Sequence, residues 1–183
     1  MTHFTTIVPA PFGELRIVVD DRGRLCRIDF PGHHGPITAT RPSAAKCAHV
    51  AAQLRGYFAG ERRHFELELA PQGTEFQLAA WRALQRIPFG STASYAQQAA
   101  KLGRPQAVRA IGQANGRNPI PIVVPCHRVI GKDGSLTGFG GGLSTKQWLL
   151  EHEQRVLRGR DHAVAGDGDA TAAVRPGRSR GRA

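Results

Sequence analysis

Cysteine is scarce in this 183-residue chain: Cys26, Cys47 and Cys126 are an odd number in unrelated local settings. That excludes a disulfide framework and fits a reducing compartment. No close Cys or His pair has zinc-finger spacing, so Cys26 with His33, His34 or His64 makes a poor metal site, and no metal or cofactor is expected. No apolar run approaches membrane-spanning length. Met1-Thr2-His3-Phe4 has neither the basic head nor the apolar core of a signal peptide, which points to a cytoplasmic protein away from membranes. Carboxylates are also few, 14 against 25 Lys and Arg, so the chain carries +11.

That charge is unevenly placed. Residues 73–157 hold 10 basic and 4 acidic side chains, against 9 and 7 in residues 1–72 and 6 and 3 in residues 158–183. Positive charge concentrated in the middle suits a polyanionic partner, nucleic acid first, or a merely solubilising surface. With 40% hydrophobic residues, the length suits one ordinary domain or two small ones.

The first segment reads as a small α+β unit. Leu15–Val19 and Leu25–Phe30 are strand-like around the turn Asp20-Asp21-Arg22-Gly23, and residues 32–42 read as loop. From Ser43 an apolar stripe through Cys47, Val50, Leu54 and Tyr57 predicts a helix that stops at Gly60. Phe65–Leu69 alternates as a further strand before the boundary at Ala70-Pro71-Gln72-Gly73. Beyond it, Thr74-x-x-Gln77, Ser94-x-x-Gln97 and Ser144-x-x-Gln147 match capping boxes and predict three helix starts. A helix from Ser94 to Leu102, a turn through Gly103-Arg104-Pro105 and a helix to Ala114 outline a helix-turn-helix, with the Gly-rich 131–142 as a wing-like loop. The tail 158–183 has no periodicity and reads as disordered and basic.

One stretch carries chemistry. Ile122-Val123-Val124-Pro125-Cys126-His127-Arg128-Val129-Ile130 reads as a buried strand interrupted by a proline, a thiol and two basic groups. A lone cysteine often just packs, but cationic neighbours lower a thiol pKa and suit a nucleophile. Adjacent residues on an extended strand face opposite ways, so help from His127 requires a kinked backbone or a bridging water.

From Gly73 to Glu153 the chain closely resembles the O6-alkylguanine-DNA alkyltransferases. The matching blocks include Trp81-x-Ala83-Leu84, Val108-Arg109-Ala110, Ala114-Asn115-x-x-Asn118-Pro119, Pro125-Cys126-His127-Arg128-Val129, Gly138-Phe139-x-Gly141-Gly142 and Leu149-Leu150-x-His152-Glu153. The resemblance implies an RNase H-like α/β domain over 1–72, a winged helix-turn-helix-like catalytic domain over 73–157, and the tail 158–183. It implies irreversible, single-turnover transfer of an alkyl group from O6-alkylguanine, and from O4-alkylthymine, in flipped-out double-stranded DNA to Cys126. By the same resemblance, His127 activates the thiol through a water, Glu153 orients the imidazole, Tyr95 supports the departing guanine and Asn118 ties the helices to the active-site strand. Arg109 fills the gap in the stack, with Ser94, Tyr95, Ala110, Gly112 and Arg128 also at DNA. Val124, Val129, Gly138, Phe139 and Gly140 form the alkyl and base pocket, with Phe139 in place of the usual tyrosine. A monomer is expected, with cooperative binding along DNA left open. A non-catalytic DNA-binding module would not need Cys126, and a cysteine hydrolase would need repeated turnover and a base facing the thiol.

Overall fold

The computed structural model describes residues 2–32 and 40–165, the last six as backbone alone. Strand β1 (His3–Ala10) pairs antiparallel with β2 (Gly13–Val19), which pairs antiparallel with β3 (Leu25–Asp29). Strand β4 (Thr40–Pro42) adds in parallel to β1, giving the order β3-β2-β1-β4. Part of the expected loop over 32–42 is therefore an edge strand, while His33, His34 and residues 35–39 lie outside the described residues. Helix α1 (Ala44–Phe58) starts where Ser43 accepts from the Lys46 amide, and it buries Cys47, Val50, Leu54 and Tyr57. The 3.6-residue period of those positions puts them on one stripe against the sheet.

Two elements differ from the sequence reading. β1 is not evident in sequence, because Thr5-Thr6 and Pro9 blur its alternation. Phe65–Leu69 is extended and alternates in burial, but it makes only an isolated bridge from Leu69 to Leu25. The side-chain amide of Gln53 takes the place of a neighbouring strand, accepting from Glu66 N–H at 2.8 Å and donating to Glu66 C=O at 3.0 Å.

The remaining chain is mainly helical. Thr74 and Ser94 form complete capping boxes with Gln77 and Gln97, starting α2 (Glu75–Leu84) and α3 (Tyr95–Lys101). The third box does not form, since α5 (Leu143–Ala165) already includes Ser144, and Gln147 instead donates to Glu151. That helix continues through residues 158–165, past the expected start of the disordered tail; residues 166–183 lie outside the described residues. Helix α4 (Val108–Gly116) packs on α2 and α3 through Ile111 and Ala114. A reciprocal amide pair between Gln98 and Asn115, at 3.1 and 2.8 Å, fixes α3 on α4. Buried amides leave no unpaired group here, which makes the pair a specific lock rather than a generic contact.

The expected strand over 122–130 is mostly absent. Ile122 has φ of 74°, a left-handed conformation that is strained for a β-branched residue, and it breaks the extended run. Cys126–Arg128 then forms a single 3-10 turn, and only Val129–Ile130 is a strand (β6), parallel to β5 (Ala93–Ser94). One apolar core runs continuously from the β1–β3 sheet through α1 to Trp81, Val124, Val129 and Leu149.

Candidate functional site

In the 3-10 turn successive side chains are about a third of a revolution apart. Cys126 and His127 are thus released from the opposite faces that a strand would impose. His127 is fully buried, and its Nε2 lies 2.9 Å from Glu153 Oε1. Burial alone would raise the Glu153 carboxyl, but bonds from His127 and Arg128 bring it down to about 2. An ionised carboxylate only accepts, so Nε2 carries the proton and Nδ1 keeps its lone pair. Nδ1 is buried without a hydrogen-bond partner among the described residues. Burial, opposed by Glu153, pushes the imidazole below its usual range, so it is neutral near pH 7 and ready to accept a proton.

Glu153 is the hub. It also accepts from Tyr57 Oη at 2.9 Å, Gly90 N–H at 2.8 Å, and Arg128 Nε and Nη2 at 3.0 and 2.9 Å. Tyr57 comes from α1 and Gly90 from the turn after α2, so groups distant in sequence converge on one carboxylate. Sequence reasoning missed both, because neither residue type signals a carboxylate far along the chain.

The Cys126 sulfur is 3.2 Å from Asn118 Nδ2, which also donates to Val124 C=O at 2.7 Å, while Asn118 Oδ1 accepts from Ile120 N–H at 3.0 Å. Burial pushes the thiol up, and the Asn118 bond and the Lys146 charge pull the other way. Lys146 is itself enclosed, donating to Val129 C=O at 2.6 Å and Thr137 C=O at 2.7 Å. Its place as a buried charge was not evident in sequence, where it sits among ordinary helix formers.

Arg128, expected at DNA, is buried and bonded to Glu153 and to Ile87 C=O at 2.7 Å. It is a structural partner of the carboxylate, because a buried guanidinium needs one. Phe139 and Gly140 line a cavity of about 360 Å3 with Cys126, Asn118 and Pro121. Val124 and Val129, expected in that lining, are instead enclosed in the core, and Gly138 is exposed at φ of 23°. Tyr95 Oη accepts from Thr137 Oγ1 at 3.1 Å, and Gly112 lies against the Tyr95 ring, where an added Cβ would sit at 3.9 Å. Ser94 caps the helix that carries Tyr95. Arg109 and Ala110 are exposed in the first turn of α4, beside the exposed apolar Val108. Among the described residues no three His, Cys, Asp or Glu side chains gather in a way that would hold a metal, and no helix is long and apolar enough to cross a membrane.

Comparison with known proteins gives concordant matches. Residues 75–155 match the 6-O-methylguanine DNA methyltransferase DNA-binding domain, and residues 4–71 match the ribonuclease-like domain of the same proteins. The methylated-DNA–protein-cysteine methyltransferase of Salmonella typhimurium is 44% identical over 162 residues, covering 82% of this chain and 95% of its own. The constitutive Bacillus subtilis protein of that name is also 44% identical, covering 85% and 97%. The Mycobacterium tuberculosis OGT, solved in complex with DNA, superposes with a TM-score of 0.79 at 41% identity over 85% of this chain and 94% of that one.

Proposed function

The chain belongs to the methylated-DNA–protein-cysteine methyltransferase family, and on that premise we propose that Cys126 takes the alkyl group from O6-alkylguanine in DNA. The observation that carries the residue assignment is the buried relay, with Glu153 on Nε2 of His127, a free lone pair on Nδ1, and Asn118 on the sulfur. His127 removes the thiol proton through a water, and Asn118 and Lys146 favour the thiolate. The sulfur attacks the alkyl carbon, the carbon–oxygen bond breaks, and the electron pair passes to guanine. Tyr95 meets that developing charge with its hydroxyl proton, and Arg109 occupies the place of the extruded nucleotide. The thioether has no route back to thiol, so each molecule acts once. O4-alkylthymine is a second substrate of the same chemistry.

The basic helix-turn-helix supports double-stranded DNA as partner, gripped by a monomer. Residues 1–72 act as support, residues 73–157 as the catalytic unit and the C-terminal tail as a basic appendage. The reducing setting that an accessible nucleophilic thiol needs supports a cytoplasmic location. Intact-mass measurement after mixing with an O6-methylguanine duplex tests the reading. One methyl added per molecule, mapped to Cys126, is expected; a methyl on Cys26 or Cys47, or none, overturns it.

A further inference from the structure

A guanidinium stands in the wall of the Cys126 cavity, and the transfer of a methyl group has no use for it. The cavity, about 360 Å3, has room for a base with a small substituent. Its lining includes Pro121 and Phe139 together with Arg27 and Asp29 of β3 and Phe30 just after that strand. Ile28 N–H donates to Pro119 C=O at 2.9 Å, and the Phe30 ring meets Phe139 with centroids 5.2 Å apart, so this strand is seated firmly on the catalytic loops.

Asp29 is buried and accepts from Arg16 Nε and Nη2 at 3.0 and 2.8 Å, which already matches its charge. Arg27 reaches the same carboxylate through Nε alone. Its terminal amino groups meet no acceptor among the described residues, and its side chain keeps 31% exposure in the cavity wall. A partly desolvated guanidinium with unused donors is suited to a carboxylate. The other cation of the lining, Arg117, is exposed.

Building on the alkyltransferase reading above, we propose that Arg27 makes this site select O6-alkyl groups that end in an anion, the smallest being carboxymethyl. The chemistry is that of methyl transfer: the thiolate attacks the methylene carbon, carbon–sulfur forms as carbon–O6 breaks, and guanine takes the electron pair and a proton. The carboxylate passes unchanged into S-carboxymethylcysteine. A carboxylate beside the attacked carbon repels the thiolate, whereas the neutral carbamoylmethyl isostere does not. A protein cation is therefore needed to favour the anionic substituent.

The test uses the full chain and three duplexes that differ only in O6-methyl, O6-carboxymethyl or O6-carbamoylmethyl, with rates read by intact mass. The carboxymethyl-to-carbamoylmethyl rate ratio should fall about tenfold in Arg27→Met and much less in Arg27→Lys, with tenfold corresponding to about 1.4 kcal/mol. Arg16 still satisfies Asp29 in both variants, and a ratio cancels any general loss of activity. An Arg27→Met ratio within twofold of the unaltered protein's overturns the inference. Methyl transfer by the unaltered protein reports separately on the alkyltransferase reading, so the two failures are distinguishable.

Discussion

Cys47 and Cys126 are both buried thiols, and burial pushes both above the ordinary range, yet their surroundings have nothing else in common. Cys47 sits in the α1 stripe with no hydrogen bond to its sulfur among the described residues, and burial alone takes it up to about 11. Around Cys126 the same penalty is opposed by Asn118 on the sulfur and by the Lys146 charge, with an unprotonated imidazole nitrogen enclosed next door. Burial is thus not what separates a packing cysteine from a nucleophile. The difference lies in whether the enclosed polar groups are arranged to receive the thiolate and its proton.

Exchanging the two thiols gives the largest test of that contrast. Cys126→Ser should lower alkyl transfer by on the order of a thousandfold or more, because a hydroxyl is far less ionised and nucleophilic. Cys47→Ala should leave the transfer rate unchanged and cost about 1 to 2 kcal/mol in urea unfolding, the range for a small core truncation. Equal losses of transfer in both would erase the distinction.

The next test removes the proton acceptor while keeping the thiol. His127→Ala should slow transfer by about a hundredfold, on free alkylguanine base as on duplex, since general-base help contributes that order of rate. Thermal melting would show whether the core persists; a folded variant reacting at the normal rate would dissociate His127 from the chemistry. Arg109→Ala separates extrusion from chemistry with a smaller effect. Loss on duplex should be about tenfold or more, as unstacking costs a few kcal/mol, with near-normal reaction on free base. A matching loss on free base would place the side chain's role in the fold.

The remaining test varies pH and leaves the sequence unaltered. Because burial holds the Cys126 thiol up and His127 down, the thiolate fraction grows with pH above neutrality while His127 stays neutral throughout. Single-turnover rates should therefore climb with the growth in thiolate, by about tenfold per pH unit, between pH 7 and 8.5. A rate that falls over this interval would mean that a protonated group, not an ionising thiol, limits the reaction.

Much of this architecture was legible because local chemistry announced it. Thr74 and Ser94 marked helix starts with their own side chains, and the Cys47 stripe carried the period of α1. Cys126 stood out through its basic neighbours. What escaped depends on long-range pairing. Ile122 looked like strand and is a left-handed break, because Asn118 pins Val124 and Cys126 into a turn. Arg128 looked like a DNA contact, since nothing nearby reveals that Glu153, 25 residues on, will take it inward. The same is true of Val124 and Val129, whose apolar character fits a pocket wall as well as the core they occupy.

The Glu153 hub bears on the order in which reactivity arises during synthesis. Tyr57 reaches Glu153 across 96 residues, and the histidine and arginine it holds lie in between. A ribosome releases Cys126 before α5, so the nascent thiol emerges without its carboxylate or Lys146. Contacts so distant in sequence close late in folding. Until α5 docks, His127 has no fixed tautomer and the thiol only ordinary reactivity. The surroundings of the thiol are therefore complete only once α5 has been made and docked, and a molecule truncated before Glu153 would carry Cys126 without the carboxylate that holds His127.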